Sequence, residues 1–310
     1  MRIAAAIAAN CLLLALPVSV FGQSTDDGAQ CQSNDWDKRI EACTRIIQDR
    51  GEAREERAKA LINRGIAYMQ KGDDARAGAD DNRSIWLDPK DALAYYNRAN
   101  LYFGKGDYDR AIAGYNQAIR FDPRYAPSYA NRGDVYRSEH DYDRAIADYT
   151  QAITVDPKYP RAYLGRGIVE LYNNSPANAY ADFNQARDIA PDYAFAAIWL
   201  EIADKRDKLP SRLDEATALV DMTKWPAPVI RLYLGQMTPD ALLAAADDPY
   251  LAVKTGQTCE ANFYTGELAL MQGRKNVAAL LFDVAASQCP QDYDEHFAAD
   301  AELKALRAPK

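Results

Sequence analysis

Apolar residues recur along the chain at intervals of three and four, in blocks of about a dozen residues separated by short polar stretches. This spacing places them on one stripe of an α-helix. The blocks themselves repeat. "ALAYYNRANLYFGKGDYDRAIAGYNQAIRFDPRY", residues 92–125, aligns without a gap on "APSYANRGDVYRSEHDYDRAIADYTQAITVDPKY", residues 126–159, an offset of 34 residues. Residues 58–91 and 160–193 fall into the same frame. Position 8 of the frame is small (Gly65, Ala99, Gly133, Gly167), and position 20 is always alanine (Ala77, Ala111, Ala145, Ala179). Position 24 is Asp81, Tyr115, Tyr149 and Phe183. Small residues at 8 and 20 let two helices approach where they cross, and the large residues fill the space beside the crossing. Proline at position 32 (Pro89, Pro123, Pro157, Pro191) ends the second helix, because it has no N–H for the ladder. The turn between the helices carries Gly72 and Gly106, then His140 and Asn174, residue types that accept a left-handed backbone better than most.

A 34-residue period with this order of residue sizes resembles the tetratricopeptide repeat family. The resemblance implies an all-α solenoid of stacked helical hairpins, wound as a right-handed superhelix, with a concave groove that binds proteins or peptides. The frame predicts four tandem repeats: 58–91, 92–125, 126–159 and 160–193. Residues 23–57 read as an incoming arm and a degenerate half-repeat, since "QSTDDGAQ" is too polar and Gly-broken for a full first helix. Residues 194–258 read as two degenerate hairpins, the second jointed at Pro226 and Pro228. A last repeat is expected over 259–292, with Gly266, Ala278 and Phe282 in frame, and a capping helix over 293–310. The C-terminal stretch "CEANFYTGELALMQG" is similar to envelope proteins of the NlpI kind, which implies an adaptor for cell-envelope hydrolases or proteases.

The first 22 residues stand apart from this frame. "MRIAAAIAANCLLLALPVSVFG" has a basic start, an apolar run too short for the roughly 20 residues of a membrane span, and a small-residue end. It reads as a secretory signal peptide cleaved before Gln23, which predicts a periplasmic protein without an integral span. The whole chain carries a formal charge of −8, and removal of the segment with Arg2 takes this to −9. An acidic chain without a basic block argues against nucleic-acid partners. Export permits disulfides among the four remaining cysteines, Cys31, Cys43, Cys259 and Cys289, which allow three connectivities. In the repeat frame Cys259 and Cys289 occupy positions 1 and 31 of the last hairpin, which antiparallel helices bring together. Cys43 takes the position-24 slot of the first half-repeat, so a Cys31–Cys43 bridge would tie the arm to its helix.

Catalysis is poorly supplied. The chain has two histidines, His140 in a repeat turn and His296 on the last helix, and no CxxC or metal-ligand spacing. We therefore expect no enzyme activity, metal or cofactor. The resemblance instead implies a binding groove lined by the first helix of each repeat. On this frame its candidates are Asn63, Tyr96, Asn97, Asn100, Phe103, Asn131, Asp134, Arg137, Arg161 and Tyr172. The lysine clamp of chaperone-binding repeats is missing, position 5 being Ile62, Tyr96, Ala130 and Leu164. The expected function is an exported scaffold or adaptor in the cell envelope. The alternative is a structural subunit of an export or surface-polysaccharide assembly complex.

Overall fold

The computed structural model describes residues 21–308, so the expected signal segment lies outside the described residues apart from its last two positions. Helices and loops make up all of the described residues, with no strand among them. Four regular hairpins form the centre: α3 (Arg54–Gln70) with α4 (Asp74–Leu87), α5 (Ala92–Gly104) with α6 (Tyr108–Phe121), α7 (Ala126–Ser138) with α8 (Tyr142–Val155), and α9 (Pro160–Tyr172) with α10 (Pro176–Ile189). Each packs on the next, the arrangement of a helical-hairpin solenoid.

The recurring residues do identifiable work. Asp73, Asp107 and Asp141 cap the second helices by accepting from the backbone N–H of Arg76, Arg110 and Arg144. The same arginines then fold over Tyr68, Tyr102 and Tyr136 at 4.3, 4.6 and 4.3 Å. In the fourth repeat both partners change together: Glu170 replaces the tyrosine and Asn178 the arginine, joined by a hydrogen bond at 3.4 Å. Arg64, Arg132 and Arg166 grip Asp80, Asp148 and Asp182 with two-pronged contacts of 2.7–2.8 Å. The small position 8 is required by its neighbour. A Cβ on Gly167 would lie 2.6 Å from the Phe183 ring, and one on Gly266 would lie 2.7 Å from Phe282. The turns are left-handed as expected, with φ of 75° at Gly72, 72° at Gly106, 59° at His140 and 58° at Asn174.

Both ends depart from the expectation. The incoming arm is a helix, α1 (Phe21–Gln30), which packs on α2 (Trp36–Gln48). Its polar sequence would not hold a helix of this length alone. Tertiary contacts hold it: Arg45 pairs with Asp27 at 2.7 Å, and the Cys31–Cys43 disulfide closes its end. After α11 (Ala194–Arg206), the expected second helix of a hairpin shrinks to α12 (Leu213–Ala216), four residues where the repeats have fourteen. Yet Lys208 adopts φ 58°, 34 residues after Asn174, so the turn of the frame survives where its second helix does not. Helices α13 (Ala227–Tyr233) and α14 (Pro239–Ala245) are also short.

The last hairpin pairs α15 (Leu251–Met271) with α16 (Lys275–Gln288). Helix α15 starts eight residues earlier than the expected Cys259, and the second disulfide, Cys259–Cys289, joins the pair. Trp199 of α11 is fully buried, with ring centroids 6.3 Å from Phe183 and 5.7 Å from Phe263. Through it the core runs from the fourth repeat into the last hairpin, past the shortened elements. Helix α17 (Asp294–Arg307) packs on α16 but also on α9, across the concave side of the array. It is therefore more than an end cap: it sits in the groove.

Candidate functional site: the concave groove

The first helices of the repeats present their inner positions to one groove, and the C-terminal hairpin enters it. Asp294, at the start of α17, pairs with Arg137 of α7 and, at 3.2 Å, with Arg161 of α9. Asp134 completes the cluster, 3.1 Å from Arg161 and 3.4 Å from Arg137, and it accepts from Tyr149 Oη at 2.5 Å. The two arginines hold the Asp294 carboxyl below its ordinary range against the opposing effect of burial. One turn on, Phe297 lies in a cage of Tyr142 (5.9 Å), Tyr172 (5.5 Å) and the Arg137 guanidinium (5.3 Å).

Several sequence-predicted groove residues are buried or engaged within the protein. Arg137 has no exposed surface; α17 covers it. Tyr172 accepts from Arg206 at 3.2 Å and is faced by Phe297. Phe103 is 3 % exposed and packs 6.1 Å from Tyr108, a core role. Asn97 is also buried, and Asn63 points its amide at Cys31 Sγ, 3.9 Å away. The sequence frame carries no information about a distant segment folding over Arg137 and Tyr172, and it does not separate a groove position from a core one at Phe103 and Asn97.

The remaining candidates come together around an open cleft of about 680 Å³. Asn100, Asn131, Asp134 and Arg161 line one side, and Leu251, Thr255, Asp292 and Tyr293 of the C-terminal hairpin line the other. Asn131 Nδ2 donates to Tyr96 Oη and to Asn100 Oδ1, both at 3.0 Å, and Tyr115 Oη donates to the same Asn100 Oδ1 at 2.6 Å. Tyr96 therefore positions the wall, its ring held 5.2 Å from Tyr125 and 5.9 Å from Tyr115. Asn100 Nδ2 and Asn131 Oδ1 have no protein partner among the described residues, so each amide keeps one group free for a ligand. Sequence reasoning missed the far wall entirely. Gln291, which receives the Tyr108 hydroxyl at 2.9 Å, and Tyr293, which packs on Gly256, lie in the loop at the end of the expected last repeat, where the frame marks no groove position.

Among the described residues no cluster of His, Cys, Asp and Glu is arranged to hold a metal, and no helix is long and apolar enough to cross a membrane.

Residues 99–137 and 133–171 match the TPR repeat family, and residues 82–113 match a second tetratricopeptide repeat family. No curated protein matches the chain. Among solved structures, it is similar to a tetratricopeptide repeat protein from Parabacteroides merdae, with 18% identity over 93% of this chain and 98% of that one and a TM-score of 0.55. It is also similar to PilF of Pseudomonas aeruginosa, with 18% identity over 79% of this chain and 98% of that one and a TM-score of 0.50. At these identities the likeness is one of fold. Together with the 34-residue frame and its hairpins, these matches identify residues 82–171 as tetratricopeptide repeats.

Proposed function

We propose that this protein is an exported scaffold that holds a segment of a partner protein in the cleft between its inner helices and its C-terminal hairpin. The observation that carries the reading is the pair Asn100 and Asn131, fixed on the cleft wall with one amide group each unused by the protein. An amide offers both a donor and an acceptor, which suits the alternating N–H and C=O groups of a peptide backbone. A wall already held by Tyr96 and Tyr115 loses little side-chain freedom on binding. The opening signal-like segment and two disulfides support an oxidising, periplasmic setting, and the acidic chain supports protein over nucleic-acid partners. We take the partners to be enzymes of the cell envelope.

The test is photo-crosslinking from the cleft in cells, followed by mass spectrometry. An Asn100→Ala/Asn131→Ala variant with native helicity should lose the crosslinked partner. Retained crosslinking would refute the cleft as the binding surface. Fractionation that finds the mature chain in the cytoplasm would refute export.

A further inference from the structure

Helix α17 brings three carboxylates into the groove, and each is received differently. Asp294 joins Asp134, Arg137 and Arg161, two acids with two guanidinium groups. Glu302 and Glu267 of α15 both accept from one nitrogen, Arg206 Nη2, which lies 3.1 Å from Glu267 Oε1 and 3.2 Å from Tyr172 Oη. Glu295 forms no ion pair among the described residues. It accepts from Tyr264 Oη at 2.6 Å, while Glu260, one turn before Tyr264, accepts from Trp225 Nε1. Glu260, Glu267, Glu295 and Glu302 are 6 %, 1 %, 4 % and 6 % exposed. Six carboxylates thus face three guanidinium groups. Full ionisation would leave three buried negative charges without a counter-charge, which the interior does not tolerate.

We propose that α17 is a proton-gated clasp on the groove: it stays seated while the buried carboxyls of Glu260, Glu267 and Glu295 hold protons, and it loosens and widens the cleft as those protons leave. This deepens the reading of the cleft as a binding surface, and rests on it. The first turn of α17 is pinned from both sides. Asp294 faces the arginines of α7 and α9, and Glu295 faces α15. Loss of the proton leaves the Tyr264 hydrogen bond in place but sets a buried Glu295 charge against Asp294 and Glu260, and that repulsion pushes the first turn of α17 out of its seat.

Burial pushes Glu267 and Glu295 each up to about 7, and Glu260 well above the ordinary glutamate range. These are raised folded-state values. Their stabilising contribution is complete below the ordinary range near 4.5 and is lost as pH climbs through 7. The other groups facing the clasp keep their charge over that window. The arginines stay charged, Arg137 of α7, Arg161 of α9 and Arg206 of α11 all being raised. Tyr142 and Tyr149 of α8, Tyr172 of α9, Tyr233 of α13, and Tyr264 are pushed up by burial and stay neutral. His140 of α7's turn and His296 of α17 are pushed down, chiefly by burial, and are uncharged above pH 6.5. Asp300 is paired with Lys304, and Asp283 of α16 with Arg307, at the solvent edge.

Hydrogen exchange of the purified chain, corrected for intrinsic rates, tests this without a partner. Each proton released above its pKa weakens the seated state about tenfold per pH unit. Protection over residues 290–303 should therefore fall at least tenfold between pH 6 and pH 8.5, with residues 92–121 unchanged. In a Glu260→Gln/Glu267→Gln/Glu295→Gln variant the fall should shrink to under twofold. Equal wild-type protection at both pH values, a fall shared by residues 92–121, or an undiminished fall in the variant would each overturn the clasp. Should the variant not fold, the wild-type comparison alone decides. Because no partner is involved, failure here leaves the crosslinking test of the cleft intact, and failure there leaves this result standing.

Discussion

Replacing Asp81 with asparagine isolates a single buried proton. Asp81 occupies position 24 of the first tandem repeat, on α4, where the next repeats place Tyr115, Tyr149 and Phe183. It is 2 % exposed, and its Oδ1 has no hydrogen-bond partner. Its neighbour Asp80 is engaged by Arg64. Burial, and then the Asp80 charge, push the Asp81 carboxyl up to about 8 from 3.8, with Arg98 opposing. The folded state therefore binds the proton more tightly than the unfolded chain. Stability is fully present below pH 3.8 and is lost as pH rises towards 8. The loss is about 1.4 kcal/mol per pH unit, so this one group costs about 1.6 kcal/mol at pH 5 and about 4 kcal/mol at pH 7. Asparagine has the shape of the neutral acid and no proton to bind. Asp81→Asn should thus be stabilising, by an amount that grows by about 2–3 kcal/mol between pH 5 and pH 7. Urea unfolding of wild type and variant at the two pH values measures the difference, in which all other titrating groups cancel. A stability difference that does not change with pH would refute the reasoning and show Asp81 ionised in the fold.

Arg137→Ala should destabilise by about 3–5 kcal/mol in urea unfolding, because it leaves the buried Asp294 with Arg161 as its remaining counter-charge and removes the cation over Phe297. Gly266→Val inserts a side chain where a Cβ already meets Phe282 at 2.7 Å, and it should lower stability by about 1–3 kcal/mol or prevent the last hairpin from forming. Peptide mapping of unreduced protein should recover Cys31 joined to Cys43 and Cys259 to Cys289. On the loop-entropy account, loss of the first bridge costs about 3 kcal/mol and loss of the second about 4 kcal/mol, read as separate shifts in the denaturation midpoint.

The array was legible because its information is local and repeated. Each hairpin meets mainly its neighbours, so position 8 must be small wherever position 24 is a ring, and Asp-x-x-Arg marks the second helix of the first three repeats by its cap and its cation over a tyrosine. Even His140 and Asn174, which lack the glycine of the earlier turns, were readable as left-handed residues. Lys208 was not, because lysine carries no left-handed signal, and the shrinkage of α12 was hidden inside a stretch with a helical pattern. Polar composition likewise concealed α1, which is held by Arg45 and a disulfide from another helix.

The groove divides along the same line. The amino-acid sequence by itself determined the helical hairpins of the four central repeats, their register, and the candidate inner positions of α5, α7 and α9. Only the tertiary structure decided which of those positions remain open. Arg137 and Asp294 are 157 residues apart, and no periodicity links them. Their meeting depends on curvature accumulated over several repeats, which brings α17 back against α9 and turns a predicted contact surface into a buried ion cluster. Neighbour contacts are encoded in every repeat. Closure of the array on itself is a sum over all of them, and no single stretch of sequence contains it.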